Sequence, residues 1–466
     1  MPYIPAVDRR VVCALVALAP AQAHADGIAI VGGSPRAIGR AGVATVGDDG
    51  GGALLINPAA MARRDTTRGQ VGISVIEDAV HWQNDPAAAP RSTGQAGSRI
   101  APIGAAIGAI DHWIIGAGVM TAAVADRSLP RPRDDPGDHD AAYDLRYAYR
   151  YAGIAGSYRR DTLAIGAARR LGDSLAVGLS LGASQVNVTE QRRIWAGLDT
   201  REAIGNPTRD VDLALSATDR FAVSAVAGVL YAPEDAPIEL GASVAWAGTV
   251  RLDGNVSAFG ARPIGPMVIY TGTGSPRASL AVRQPLAVRA GGRYVGDRIV
   301  AELDGDLWVA ASAAESATWQ VSGIRIVDPS SSQAMPVEVD LEQVPSRISQ
   351  HTHVAVRTAV DIELMPGFLW ATGGYAFSNL VTPAAWLSPS FGDLGGHTLG
   401  LGLETTAGGF TVTLGWSRTW SLATRAPTEL QLDNPFLAGD GPVPSGTYDG
   451  SLDQIGILIE GEVSSR

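Results

Sequence analysis

From Gln70 onward the chain repeats a pattern that few folds accept: short runs in which every second residue is apolar. Phe410, Val412, Leu414 and Trp416 alternate with Thr411, Thr413, Gly415 and Ser417. Leu399, Leu401 and Leu403 alternate with Thr398, Gly400, Gly402 and Glu404, and Ile238, Leu240, Ala242, Val244 and Trp246 with Glu239, Gly241, Ser243, Ala245 and Ala247. Period two places one set on each face of a strand. Such runs predict fourteen strands, near 70–79, 99–110, 113–125, 146–170, 175–190, 211–230, 238–253, 278–295, 298–311, 350–364, 368–378, 397–406, 409–420 and 451–463. Tight turns fall at Asp111-His112, Gly172-Asp173-Ser174, Gly296-Asp297, Met365-Pro366-Gly367 and Ala407-Gly408, with a longer one at 231–237. Long polar loops occupy 80–98, 126–145, 191–210, 254–277, 312–349, 379–396 and 421–450. A soluble sandwich also alternates in hydropathy, but nothing makes it alternate long and short connections. A membrane barrel does, with long loops outside and short turns in the periplasm. The expectation is an all-β chain, a 14-stranded antiparallel transmembrane β-barrel over 69–466. Ala317–Val327 is assigned to the fifth long loop, because a fifteenth strand would break the alternation.

Composition agrees. No stretch of 18 apolar residues runs through the body, which excludes spanning helices. Charged residues are only 18% of the 466, too few for a charge-swollen disordered chain. The net charge of −11 argues against binding nucleic acid. At the N-terminus, Arg9-Arg10 precedes an apolar run from Val11 to Ala19, and Ala23-His24-Ala25 is a small-residue cleavage pattern. Residues 1–25 read as a secretory signal, removed near Ala25. The one cysteine, Cys13, lies inside it, so disulfides and thiol chemistry are not expected of the mature chain.

Two hairpins set an expected register. A turn at Gly296-Asp297 puts Ala290 opposite Leu303, Leu286 opposite Leu307 and Arg289 opposite Asp304, with Arg293 diagonal to Glu302. A turn at Ala407-Gly408 puts Leu403 opposite Val412, Leu401 opposite Leu414 and Leu399 opposite Trp416. Both predict a charged lumen and an apolar exterior.

Between signal and barrel stands SPRAIGRAGVATVGDDGGGALLINPAAMAR. Gly39-Arg40-Ala41, Asp48-Asp49 and Asn57-Pro58-Ala59 resemble the N-terminal hatch of FadL-type outer-membrane transporters, a family of long-chain fatty-acid and aromatic-hydrocarbon channels. Weaker echoes follow in ARRLGDSLAVGLSLGA, SPRASLAVRQPLAVRAGGRYV and GYAFSN…SPSFGDLGGHTLGLGLE. The resemblance implies a hatch or plug over 26–68 inside the lumen. It also implies passive uptake of a hydrophobic small molecule that leaves sideways through the wall. It makes the outer-membrane bilayer and, during biogenesis, the barrel-assembly machinery the partners, and places the chain in the bacterial outer membrane. The chain departs from the family by ending Gly461-Glu462-Val463-Ser464-Ser465-Arg466, without a terminal aromatic.

Residues are assigned to this reading as follows. Gly39, Arg40, Asp48, Asp49, Asn57, Pro58 and Ala59 form the hatch motif, and Asn57-Pro58 is expected to make a turn against the wall. Asp48 and Asp49 need basic partners, with Arg289, Arg293 and Arg357 as lumen-facing candidates. Gly116 and Gly118 mark the third strand as the candidate lateral gate; glycines that merely relieve crowding would look the same. Phe259, Ile264, Met267, Val268, Ile269 and Tyr270 are too apolar for a solvated loop. Of these, Phe259, Met267, Ile269 and Tyr270 are the candidate ligand-capture residues.

Enzyme signals are weak. Gly178-Leu179-Ser180-Leu181-Gly182 matches the nucleophile-elbow pattern but sits within an alternating strand rather than at a strand-to-helix turn. His351, His353, Asp361 and Glu363 share a strand face without a tight set of three ligands. No catalytic residue, metal or cofactor is expected. A general porin or structural barrel, and a secreted soluble β-rich protein, are the alternative readings.

Overall fold

The computed structural model describes residues 33–84, 92–95, 98–129, 149–196, 210–260, 268–271, 275–310, 317–328, 337–348, 350, 352–426, 430–431, 442–443 and 446–463. The expected signal segment with Cys13 and Ala23–Ala25, and residues 26–32 of the expected hatch, lie outside this set.

The wall is a closed antiparallel barrel of 14 strands. They are β1 (Arg68–Asn84), β2 (Arg99–Ile110), β3 (Trp113–Ser128), β4 (Ala155–Leu171), β5 (Leu175–Trp195), β6 (Asp210–Tyr231) and β7 (Ile238–Ala247). β8 (Leu286–Val295), β9 (Ile299–Val309), β10 (His353–Met365), β11 (Leu369–Ser378), β12 (Gly396–Ala407), β13 (Phe410–Ser421) and β14 (Gly446–Glu462) follow. Closure is made by β1 and β14, paired from Arg68↔Glu462 to Asn84↔Gly446. Exposed large apolar side chains recur at alternate outward positions, such as Val71 and Ile73 on β1, Leu179 and Leu181 on β5, and Ile455, Ile457 and Ile459 on β14. An apolar belt this continuous needs lipid rather than water against it.

Both test hairpins are slipped by two residues from expectation. β8 pairs with β9 through Val295↔Val300, so Arg289 faces Asp306, Ala290 faces Gly305, Leu286 faces Val309 and Arg293 faces Glu302. Gly296 N–H closes a wider turn by donating to Ile299 O at 2.9 Å. In the second hairpin Ala407 pairs with Phe410, so Leu403 faces Leu414 and Leu401 faces Trp416. Its turn is Gly408-Gly409 rather than Ala407-Gly408, with φ of +59° and +82°, the left-handed pair a two-residue hairpin needs. A slip of two preserves the strand face, so the inward and outward assignments survive.

β7 and β8 continue outward beyond breaks as Val250–Gly260 and Arg277–Val282. Most of the described residues of the fourth long loop are therefore strand. Ala317–Val327 also becomes strand, Thr318–Ser322 and Ile324–Asp328, but outside the wall. The first pairs with Arg277–Ser279. The second pairs with Val268–Thr271. These extensions share a core in which Trp319 is fully buried and donates from its indole N–H to Glu190 at 2.9 Å.

Candidate functional site: a cavity between the N-terminal segment and the barrel mouth

Residues 33–64 lie against the inward face of the wall, where contacts reach every one of its strands. A short helix at Pro35–Gly39 (α1) starts at Ser34, whose hydroxyl accepts from Ala37 N–H. A 3₁₀ turn at Pro58–Arg63 starts at Asn57. Asn57 is fully buried, and each of its polar atoms is used. Oδ1 accepts from Ala59 N–H at 3.2 Å, and Nδ2 donates to Thr45 O at 2.8 Å and to Val229 O of β6 at 3.2 Å. Asn57-Pro58-Ala59 is thus a capped turn tied to the wall, with Pro58 at the first helical position, where its missing N–H costs nothing.

Charge complementarity holds the segment. Arg36 pairs with Glu404 at 2.8 Å, Arg40 with Glu302 at 2.7 Å and Asp361 at 3.4 Å, and Arg64 with Glu460 at 2.8 Å. Arg63 pairs with Glu239. Wall carboxylates also accept backbone donors. Glu302 takes Val46 and Gly47 N–H at 2.8 and 3.0 Å, and Asp304 takes Ala44 and Thr45 N–H, both at 2.9 Å.

The expected partners of the two aspartates are corrected. Asp48 binds Ser34 Oγ at 3.0 Å and Gly50 N–H at 3.1 Å, and Asp49 pairs with Arg64 at 2.7 Å and Arg36 at 3.4 Å. Arg293 instead serves Glu239 at 3.1 Å, and Arg357 serves Asp306. Arg289 lies over the Trp308 ring at 5.8 Å. The segment carries its own arginines, and their nearness in sequence makes these pairs the easier ones to form. Burial pushes the Asp48 carboxyl up, despite Arg36. At Asp49 burial is outweighed by Arg64 and Arg36, which hold the carboxyl below its ordinary value.

Wall glycines give the segment room. A Cβ on Gly400 would stand 2.6 Å from Ala41 N, and one on Gly39 would stand 2.9 Å from Gly402 Cα. Gly178 lies directly under the Pro58–Ala59 peptide. Two residues on, the Ser180 hydroxyl donates to Leu54 O at 2.6 Å. The serine of the G-x-S-x-G run is therefore a docking point for backbone. Gly116 has a similar use: a Cβ there would meet Met61 Sδ at 2.8 Å. At Gly118 it would meet Ala105 Cβ at 2.8 Å. A side chain at either position would crowd its neighbours.

Above the segment lies a cavity of about 280 Å³, at the small end of ligand pockets. Its floor includes Gly42, Thr45, Leu55 and Ile56. Val381 and Asp393 line it from the sixth long loop, which turns into the barrel: Leu387 and Phe391 are 1% exposed, and Ser388 and Ser390 fully buried. Arg127 of β3 anchors that loop by donating to Gly392 O at 2.6 Å. The sequence pattern assigns ligand capture to the fourth long loop. Phe259 is 62% exposed and absent from the cavity lining. Ile264 and Met267 lie outside the described residues; Ile269 and Tyr270 sit on the outer strand Val268–Thr271. Of the histidine-carboxylate face, His351 lies outside the described residues and the others are dispersed: His353 stacks on Trp308 at 4.5 Å, Asp361 accepts from Thr372 at 2.7 Å, and Glu363 accepts from Gly367 N–H at 2.6 Å.

The cavity meets the wall where ladders are interrupted. On β3 the pairing with β2 ends at Ile103↔Met120. On the other side Ala122 is skipped between Thr121↔Asp161 and Ala123↔Arg160, and Ala122 and Ala123 line the cavity.

These features define a transmembrane β-barrel whose N-terminal segment packs within the lumen beneath an internal cavity. Comparison with solved structures places the fold among the FadL-type barrels. A FadL homologue from Pseudomonas aeruginosa matches with a TM-score of 0.71 at 12% identity, over 95% of this chain and 100% of that one. The Pseudomonas putida toluene transporter TodX matches at 0.63 and 14%, over 94% and 100%. The Ralstonia pickettii toluene transporter TbuX matches at 0.57 and 12%, over 92% and 98%. No family model and no curated protein sequence matches the chain.

Proposed function

We propose that this protein is an outer-membrane channel for passive uptake of hydrophobic molecules, long-chain fatty acids or similar apolar compounds. Residues 33–64 act as its plug. The observation that carries the reading is the cavity bounded below by that segment and lined above by the inturned sixth loop. A porin requires an open aqueous lumen; here ion pairs and backbone hydrogen bonds tie a folded segment across it. The structures with this fold include transporters of toluene, which fits an apolar ligand. Such a ligand leaves sideways into the bilayer, avoiding the aqueous periplasm. The exit on β3 lies at the Ala122 bulge, which adjoins the cavity, rather than at Gly116 and Gly118, which accommodate the plug and neighbouring wall.

Two variants test the reading, with uptake of a radiolabelled fatty acid and of toluene as readouts. Asn57→Ala with Pro58→Ala removes a cap worth about 1 kcal/mol and the bond to Val229 O. Uptake should fall and small-ion conductance rise while the barrel stays inserted. Ala122→Trp fills the bulge and should abolish uptake without raising conductance. Parental uptake by both inserted variants would reject the channel and its plug.

A further inference from the structure

Where the wall leaves its apolar belt on the outer side, β6 carries a bulge. Val186 of β5 pairs with Asp219 and Ser184 with Ala222, so Gln185 alone stands opposite Arg220 and Phe221. Consecutive strand residues ordinarily face opposite sides, but across a bulge both can face out. Arg220 and Phe221 are both exposed, Phe221 at 71%. Asp219 fixes the backbone there. Its carboxylate accepts from Phe221 N–H at 2.9 Å through one oxygen and from Arg251 N–H at 2.7 Å through the other.

The outer continuations of β7 and β8 bring two more arginines to this face. Thr218 of β6 pairs with Asp253, and the same register carried two residues on sets Arg220 opposite Arg251. Arg277 pairs with Asn255 on the next strand. Arg220, Arg251 and Arg277 are all exposed, and with Phe221, Asp219 and Asp253 they line one groove of about 590 Å³. None of its lining residues lines the internal cavity. Among the described residues no ion pair or hydrogen bond engages any of the three guanidinium groups. Yet two carboxylates border the groove, and an exposed arginine elsewhere does pair, Arg325 with Asp340 at 2.7 Å. Like charges set opposite each other across a ladder repel. An anion shared between them removes that repulsion.

The surroundings of the groove select the anion. Toward the membrane the outward face carries exposed Phe221 and Val223 on β6 and Trp246 on β7. Away from it the exposed side chains are polar, Ser216, Asn255 and Gln320 among them. Apolar surface gives way to cationic surface within one residue, from Phe221 to Arg220. A soluble anion would use only the arginines. A lipid with acyl chains in the outer leaflet and phosphate at its head meets both surfaces at once. Its chains lie along Phe221, Val223 and Trp246, and its phosphate oxygens accept from guanidinium forks that match them in shape.

We propose that this groove holds the phosphate of an outer-leaflet lipid, a phosphorylated glycolipid such as lipid A, against the outside of the barrel. The site concerns how the barrel is seated in its leaflet and stands apart from the channel reading above, so either can fail without the other.

Delipidated barrel in neutral detergent is titrated with lipid A and with the same lipid stripped of its phosphates, and bound lipid is counted by native mass spectrometry. The phosphorylated form should bind roughly tenfold more tightly or better, and the difference should shrink at high salt. Arg220→Gln, Arg251→Gln and Arg277→Gln combined should abolish that preference in a barrel that remains heat-modifiable. Arg325→Gln, which removes an exposed arginine from the paired outer sheet, should keep it. Inorganic phosphate in large molar excess should leave the lipid bound; complete displacement would make this a site for the free anion and overturn the lipid assignment. Equal binding of the two lipids by the parent, or an undiminished preference in the triple variant, would overturn the site itself.

Discussion

Asp48 and Asp49 are adjacent in the chain and have opposite electrostatic fates. Asp49 is paired, and its carboxyl titrates below the ordinary range, so its contribution is complete above that range and is lost only as pH falls through the depressed value. Asp48 is raised, chiefly by burial, so its charge costs stability at neutral pH, and the cost disappears as pH falls through the raised value. Asp49→Asn should therefore loosen the N-terminal segment, by on the order of 1–2 kcal/mol given partly buried partners. Asp48→Asn should leave it as firm as before or firmer. As pH falls, the second change should be mimicked before the first, since Asp48 takes up its proton at a higher pH than Asp49 does. Limited proteolysis of residues 33–64 in detergent-solubilised protein reads both effects. The pairing itself was only half visible in sequence. The need for a basic partner followed from burial, but its identity depended on how α1 and the 3₁₀ turn bring Arg36 and Arg64 to one carboxylate, and period-two patterning carries no such information.

At the scale of elements, the strands were legible because lipid enforces their alternation along the whole belt. Their hairpin registers were not, because a two-residue slip changes no face and so leaves no trace in the pattern. The turn glycines decided it: Gly408 and Gly409 both take left-handed φ, so the turn sits one residue later than Ala407-Gly408. The glycines of the inner face escaped for a related reason, since a glycine that seats a segment reads like any small lumen residue. They give a direct test. Gly400→Val would drive a branched side chain into the Ala41 amide, where even a Cβ stands at 2.6 Å. The barrel should still assemble, its ladder being independent of that side chain, while the segment becomes open to protease. Gly305→Val, where a Cβ meets nothing within 4 Å, is the matched control and should leave protection intact. Equal protease sensitivity of the two variants would show that close packing at Gly400 does not hold the segment.

For the molecule as a whole, closure through seventeen consecutive residue pairs between β1 and β14 leaves no wall edge to fray. The folded barrel should therefore migrate differently on a gel before and after boiling, and its circular dichroism should be that of sheet. Identical migration with a helical spectrum would exclude the architecture. The reach of the N-terminal segment has a consequence in time as well as in space. Arg64 is bound by Glu460, near the other end of the chain, and Arg40 by Glu302 and Asp361 between them. This N-terminal segment thus finds its full berth only after the last strand has been laid down. Its contacts are among the most distant in sequence that the protein makes, and such contacts form late because loop closure precedes any reward. Docking of the segment is in effect a roll-call: its full set of contacts can be made only when every strand is present.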